Sequence, residues 1–470
     1  MTDMSSHDNP GTIHAVDRGQ GVTDLTAAIC SPVSVAAVTR QILQPAAWIE
    51  RRVETVEFVD DVSIRRRSSV QFSQPLYVPS IRLPNATTDR VLIPITLLRK
   101  EPLVNLDVRD AQGRAVATLT SDQNRELAGR ILCSYAAVLG DGWGELPDTV
   151  RTELEEIAGD APAVAEHRAN KLLRVTGNYP KLFRESTDFM TLLGRLTYNF
   201  VLAAILEISD SSPRLLKFAY DEPFEVPELD GPVANSLAFI GLRPLRSDTP
   251  AINDCASFHF EISVPDDTQA GCGVIEGIPY HRQRGDESCF EQLAADEGTK
   301  SRVHLHARDT PLVVAPRSRF NIMPEQRGWL RSALAATWAV TLVFAVLVAW
   351  PPRTDADTAQ SVTLFLGIVA ALATFLVRSG EHAMVSVLLM NLRWLVGAAT
   401  TALPVAAAVI LLSSVPARVQ EFVWWAGAGL AGVVAVVVTL AYVLPSRLAR
   451  RHLVWTAERP CTEGELNVES

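Results

Sequence analysis

Two short stretches carry histidine and glutamate side chains at a spacing that could support metal or acid–base chemistry. They are His259 and Glu261 in "FHFE", and His304 and His306 in "VHLHARD". Residues two apart in a β-strand point to the same face, so each pair would share one face of a strand. Adjacent strands would bring the four groups together as metal ligands. Such pairs are also common on ordinary solvent-facing strands, and we assign no metal ligand here.

Cys272 is the one cysteine in a context that invites comparison with a nucleophile. It lies in "QAGCG", residues 269–273. An extra glycine breaks the spacing of a caspase-type cysteine signature, and the histidine expected about 50 residues upstream is absent. A thiolate nucleophile needs a base nearby in space. The alternative is a glycine-rich turn with a half-buried thiol, and we expect Cys272→Ser to preserve fold and function.

Three further motifs have structural interpretations. "GAGLAG", Gly427–Gly432, has the spacing of a dinucleotide fingerprint but lies inside an apolar run, where small residues let helices approach closely. "IRRR", Ile64–Arg67, could contact anionic lipid or form a solvated strand face. The glycosylation sequon at Asn85 would have no role in a cytoplasmic domain. With no P-loop, kinase, G-x-S-x-G or HExxH motif in the chain, we predict no catalytic, cofactor-binding or metal residue and no cofactor.

Charge and composition narrow the class of partner. The net charge is −10, and the residues before position 320 hold 33 basic and 44 acidic side chains. An acidic domain repels phosphate backbones, which argues against a nucleic-acid partner. The six cysteines contain no CxxC pair, so neither a zinc ribbon nor a compact disulfide framework is indicated. Arginine greatly outnumbers lysine, which is typical of a GC-rich, bacterial genome.

The C-terminal part contains four long apolar runs without Asp, Glu, Lys, Arg or His. Each is near the roughly 20 residues that a helix needs to cross a bilayer. Because soluble buried helices seldom stay apolar on every face, we predict four transmembrane helices within residues 328–446. Their approximate bounds are 332–350, 361–377, 394–412 and 422–444.

Arginine distribution predicts the orientation of these helices. Alternate connecting segments hold nine arginines against two, and positive residues remain on the cytoplasmic side. Both termini, and the large domain before the helices, are therefore expected in the cytoplasm of a bacterium, with the chain in the inner membrane. Residues 378–393 are too apolar for a plain loop. They either lie along the inner membrane surface or extend the third helix inward, with Arg393 snorkelling to the headgroups.

The residues before the helices alternate as β-strands do, with a helical section between. "WIERRVETVEF" and "VSIRRRSSVQF" flank Asp60-Asp61 as a hairpin, and a second hairpin turns at Asp110–Gly113. Ser121 is expected to cap the first helix of an insertion over about 121–196. The apolar segment 189–209 contains Arg195 and Asn199. An arginine near a helix centre costs about 3 kcal/mol on insertion scales, so we predict a soluble helix leading into a buried strand.

The predicted architecture is α+β. A mostly disordered tail (1–45) precedes a cytoplasmic β-rich, sandwich- or barrel-like domain (46–320), four transmembrane helices, and a cytoplasmic tail (447–470). We expect an integral inner-membrane protein whose domain binds a protein partner or small ligand, with the lipid bilayer as the other partner and homo-oligomerisation through the helices as an option. One alternative is an oligomeric pore or membrane effector gated by the domain. Another is a membrane-tethered enzyme, although we lean against enzymatic activity.

Overall fold

The protein is described here from a computed structural model. The described residues are 27, 29–73, 80–81, 90–101, 103–140, 146–174, 178–207, 214–224, 232–279, 291–296, 301–308, 313–326, 328–350, 367, 382–411 and 416–448. The chain divides into two compact units, the first formed by residues 1–49, 70–102 and 108–217, the second by 50–69, 103–107 and 218–470.

Strands dominate both ends of the region that precedes the apolar C-terminal helices, as the alternation predicts. Their bounds are β1 Ile49–Phe58, β2 Ser63–Phe72, β3 Ser80–Ile81, β4 Arg90–Arg99, β5 Val104–Asp110, β6 Ala117–Thr118, β7 Asn199–Glu207, β8 Arg214–Pro223, β9 Arg243–Asp248, β10 Ser257–Ser263, β11 Thr268–Pro279, β12 Glu291–Asp296, β13 Arg302–Arg308 and β14 Val313–Pro324.

Helices lie before the first strand, between β6 and β7, between β8 and β9, and after β14. Their bounds are α1 Pro32–Leu43, α2 Ser121–Leu139, α3 Asp148–Gly159, α4 Pro162–Arg174, α5 Asn178–Glu185, α6 Thr187–Tyr198, α7 Pro232–Phe239, α8 Trp329–Ala349, α9 Ala383–Leu411 and α10 Ala417–Leu448. The helix α1 lies inside the predicted disordered tail and is capped by the Ser31 side chain, so ordered structure begins earlier than expected.

The first unit packs helices against a four-stranded antiparallel sheet of order β3-β4-β7-β6. Its core includes Leu127 and Ile131 of α2, Leu192 and Leu196 of α6, and Val201 of β7, all fully buried. The helix α2 begins at Ser121, but the cap is Thr120. Its hydroxyl accepts from the backbone N–H of Gln123, whose side chain bonds back, forming a capping box.

Over its described residues, 189–207, the segment 189–209 is a helix followed by a buried strand, as predicted. It contributes α6 and then β7. Arg195 Nη1 donates to the carbonyl oxygen of Ile42, 2.6 Å away, so its charged group has a protein partner. Within the described residues this segment is not among the helices that are long and apolar enough to cross a membrane.

The second unit contains a six-stranded sheet, order β13-β10-β1-β2-β8-β5, and a four-stranded sheet, order β12-β11-β14-β9. Arg66 on the first sheet donates to Ser247 Oγ on the second, and a Cβ atom on Gly273 would overlap the Val303 side chain, so the two sheets pack face to face. The β-rich character of this region is as predicted. The pairing of β1 with β10 is parallel, with Arg51 opposite Ser257.

Three described helices are long and apolar enough to span a membrane: α8, residues Ala383–Ala406 of α9, and Arg418–Pro445 of α10. Four were predicted, and the second run, 361–377, lies outside the described residues apart from residue 367. The third helix starts at Ala383 instead of about 394. Residues 383–393 are therefore continuous with that helix, as in the second alternative, and residues 378–381 lie outside the described part of the chain.

Candidate histidine cleft

The two histidine patterns lie side by side on the outer face of the six-stranded sheet. The strands β10 and β13 are antiparallel neighbours, with His259 opposite His306 and Glu261 opposite His304. Alternation sends Phe258, Phe260 and Ile262 into the core and leaves the histidines facing outward. The cross-strand proximity required for joint chemistry, which sequence spacing could only suggest, is present.

A continuous chain of hydrogen bonds connects these side chains. Ser257 Oγ lies 3.1 Å from His306 Nε2 and 3.3 Å from His259 Nε2. On the other side of its ring, His259 Nδ1 lies 3.1 Å from His304 Nε2. The same His304 nitrogen lies 4.0 Å from Glu261 Oε1. The hydrogen-bonded order is His306, Ser257, His259 and His304, and Glu261 lies beyond hydrogen-bonding distance next to His304.

One end of this chain opens into a cleft of about 370 Å³. Most of the lining residues carry polar side chains, and they come from the starts of β1 and β10 and the end of β13. It consists of Glu50, Arg51, Ala256, Ser257, His259, His306 and Arg308. Volumes of a few hundred Å³ are typical of small-molecule sites.

His259 is the central titrating group of the cleft. Burial, followed by the positive charge of Arg51 and the neighbouring His306 and His304, lowers the pKa of His259 from 6.5 to about 4. The imidazole is therefore neutral near pH 7. A neutral imidazole has one N–H donor and one acceptor nitrogen. The Ser257 hydroxyl has a single proton, so it can donate to only one of its two imidazole neighbours at a time.

The rings are arranged for stacking and hydrogen bonding with each other. His259 stacks on His306 with centroids 4.2 Å apart and on His304 at 5.4 Å. Stacked rings direct their nitrogen lone pairs in parallel planes, whereas a metal needs them to converge on one point. Among the residues described, no group of three or more His, Cys, Asp or Glu side chains could hold a metal ion.

A serine hydroxyl between two imidazoles is also the geometry of an activated nucleophile. Acyl transfer additionally needs hydrogen-bond donors directed at the developing oxyanion. The strand β10 pairs with β1 on one side and β13 on the other over Ser257–Ser263, so its backbone amides serve the sheet. The arrangement is better suited to holding a polar ligand with side-chain donors than to acyl transfer.

Cys272 lies in a strand, so the expected glycine-rich turn was wrong. It belongs to β11, is 2% exposed, and accepts a hydrogen bond from Asn321 Nδ2 at 3.6 Å. The neighbouring glycines allow close packing: a Cβ atom on Gly277 would lie 2.9 Å from Val313 Cβ. A buried thiol whose hydrogen-bonding neighbour is an amide lacks the adjacent base of a catalytic cysteine.

The "IRRR" segment lies on β2 and alternates between the two faces of the sheet. Ile64 and Arg66 point inward, and Arg66 is the centre of a buried ion network. Arg65 pairs with Asp221, and Arg67 pairs with Glu57 on the surface. The buried position of Arg66 removes it from any lipid contact.

The ion network of Arg66 was not predicted. Its guanidinium bonds Glu54 at 3.1 Å, Glu222 at 2.7 Å and Ser247 Oγ at 3.2 Å, while Arg52 pairs with the other oxygen of Glu54 at 2.7 Å. The signal was present in β1, where Arg52 and Glu54 occupy the inward positions. The lining role of Ser257, Arg51 and Arg308 was also missed, because it depends on strand pairing.

Two further sequence motifs are "GAGLAG" and the glycosylation sequon at Asn85. Gly427 of "GAGLAG" packs against Phe344 of α8, in agreement with the helix-packing interpretation. Asn85 lies outside the described residues.

A comparison with models of known protein families finds no match, and a comparison with curated protein sequences finds none that is similar. The cleft must therefore be interpreted from its own geometry.

Proposed function

We propose that this protein is a membrane-anchored binding module that holds a small polar ligand in the histidine cleft. The observation that carries the proposal is the convergence of Ser257, His259 and His306 with two arginines on one open cleft. The Ser257 hydroxyl is hydrogen-bonded to both imidazoles, and all three side chains line the same open cleft. Specific ligand sites typically use a small number of polar groups held at fixed positions in a cleft.

The anchor is proposed to be four transmembrane helices in a bacterial inner membrane, with both termini and the β domain in the cytoplasm. Trp329 of α8 packs near Arg393 of α9, and Gln326 bonds the Tyr442 carbonyl of α10. The start of α8 thus lies beside the first half of α9 and the end of α10. A chain leaving α8 at the opposite end must return before α9, and 361–377 is the apolar run that the sequence provides.

An occlusion experiment tests the binding function. The full chain is purified in mild detergent, and small molecules that remain bound are measured by native mass spectrometry. Ala256→Trp fills the cleft without removing a polar side chain, and Ala115→Trp places the same bulk on the second hairpin as a control. The proposal expects a bound compound in the wild type and in Ala115→Trp that Ala256→Trp has lost. A bound compound retained by both variants would contradict it.

A gated membrane effector is the second candidate, and one observation favours it. The β domain contacts the helices through packed apolar residues: Ile240 packs against the cluster around Leu389 and Leu392 of α9, and Gly241 contacts Pro324 of β14 and Leu389. Movement of β14 would therefore reach the helices directly. Planar-bilayer conductance of the purified chain, compared with an Ile240→Ser variant, tests this function. Absence of conductance in both argues for the anchor alone.

A further inference from the structure

We propose that the ligand of the histidine cleft is a small oxyanion of the phosphate type, bound together with a proton taken up by the imidazole chain. This inference rests on the proposed binding function, because it names the chemistry of the ligand at the same site. It makes two separate claims, the charge of the ligand and its linkage to protons. Each follows from a different feature of the cleft.

The lining of the cleft selects for negative charge. Two guanidinium groups, Arg51 and Arg308, face it with two imidazoles and one hydroxyl. The single carboxylate of the lining is Glu50, and the single side chain without a polar group is Ala256. Guanidinium groups match the oxygen geometry of phosphate with paired N–H donors. A cation would meet repulsion from the two guanidinium groups here.

The hydrogen-bond chain supplies the proton linkage. Neighbouring nitrogen and hydroxyl atoms in the chain are already 3.1 to 3.3 Å apart. A protonated His259 can therefore donate hydrogen bonds to Ser257 and His304 without a large movement. In the imidazolium form both nitrogens of His259 donate. An additional donor then becomes available to the hydroxyl, whose own proton is released to point into the cleft.

The groups facing His259 explain why the proton is held only with an anion. The strand β1 contributes Val53 directly opposite and Arg51 beside it; β10 contributes Ser257 and Glu261; β13 contributes His306 and His304. Burial, followed by the positive charge of Arg51 and the neighbouring His306 and His304, keeps the pKa of His259 near 4. An oxyanion at hydrogen-bond distance adds opposite charge and raises that pKa.

The sign of the linkage follows. Between the pKa of the free cleft and the higher pKa of the occupied cleft, the bound state holds one more proton than the free state. Affinity for the anion therefore rises as pH falls through the pKa of the occupied cleft, and it levels off once the free cleft is itself protonated near pH 4. Each unit by which binding raises the pKa adds about tenfold in affinity.

The experiment uses sulfate as the first probe, because sulfate keeps its double charge across this range and any pH dependence then belongs to the protein. The full chain in detergent is titrated calorimetrically at about pH 5.5 and about pH 8, in two buffers of different ionisation enthalpy. The expected results are affinity about tenfold or more higher at the lower pH, and heats that reveal proton uptake. Orthophosphate and glycerol phosphate, as parallel arms, distinguish free phosphate from an organic phosphate.

Matched variants locate the effect. His259→Gln should weaken anion binding and reduce its pH dependence, while His167→Gln, on an exposed helical site of α4, should change neither. Arg308→Gln should weaken sulfate binding about tenfold or more; Arg302→Gln lies on the same face of β13 outside the cleft and should not. Circular dichroism shows whether each variant is folded, and if Arg308→Gln fails to fold, Arg51→Gln replaces it.

Three outcomes distinguish a failure of this inference from a failure of the proposed binding function. Anion affinity that is equal at both pH values, or unchanged by Arg308→Gln, overturns the inference. A neutral or cationic compound displaced by Ala256→Trp, with no anion binding, overturns the inference and leaves the binding function standing. Absence of any compound that depends on the cleft overturns both.

Discussion

Gly427 of α10 lies directly against the ring of Phe344 of α8, and a Cβ atom built on Gly427 would be 2.6 Å from Phe344 Cζ. Neighbouring Gly429 has no atom within 4 Å of the same constructed position. Two glycines with the same sequence context thus differ in whether a methyl group can be accommodated. This difference gives a direct test of the helix packing.

Gly427→Ala is expected to destabilise the helix group by about 1–3 kcal/mol, because the added methyl group overpacks against the Phe344 ring. Gly429→Ala should be neutral or slightly stabilising, since alanine favours helix. Thermal unfolding in detergent, followed by tryptophan fluorescence, measures both. Equal stability of the two variants would show that α8 and α10 do not pack through Gly427.

Arg66→Gln should destabilise the β sandwich by about 3–5 kcal/mol, because it leaves Glu54 and Glu222 with uncompensated charge at a buried position. The adjacent Arg67 pairs with Glu57, and its side chain is 54% exposed. Arg67→Gln should cost at most about 1 kcal/mol. Urea unfolding of both variants provides the comparison, and a similar loss in the two would argue that the network contributes nothing special.

Cys272→Ser should preserve folding and ligand binding, and wild-type Cys272 should resist a mild electrophile at neutral pH. The thiol is 2% exposed and accepts from Asn321, and a serine hydroxyl can accept the same bond. Mass spectrometry after brief alkylation, before and after unfolding, measures access. Stoichiometric labelling of the native thiol would revive the nucleophile hypothesis.

Alkaline phosphatase fused after Asp357 should be active, whereas the same enzyme fused after Ser470 should be inactive. The expectation follows from the nine-to-two division of arginines between alternate segments. Activity requires export, so the pair reports the two sides of the membrane. Activity of the Ser470 fusion would place the C-terminus outside the cytoplasm and require a different number of crossings.

Local sequence patterns predicted those strands in which polar and apolar residues alternate without interruption. Phe258, Phe260 and Ile262 alternate with polar residues, so β10 and its outward histidine were predictable. The strand β11 was not, because Gly273 and Gly277 suggest a turn. Only the packed structure shows that Val303 and Val313 occupy the space a side chain would need.

The candidate site depended on pairing between distant segments. Spacing placed His259 and Glu261 on one face, but that β10 and β13 are neighbours is a property of the sheet order. The arginines of the cleft come from β1 and β13, whose relation to β10 no short pattern specifies. Likewise, Arg52 and Glu54 at inward positions conflict with binary patterning until Arg66 and Glu222 are known to meet them.

The parallel pairing of β1 with β10 has a consequence for synthesis on the ribosome. Arg51 leaves the ribosome long before its partner Ser257, by roughly 20 s at about 10 residues per second. During that interval β1 has an open edge, which in an apolar strand invites aggregation. Charged residues on both faces, Arg51 outward with Arg52 and Glu54 inward, keep the waiting strand soluble. When β10 pairs with β1, Arg52 and Glu54 become part of the buried ion network. This pairing comes shortly before α8 leaves the ribosome to enter the membrane.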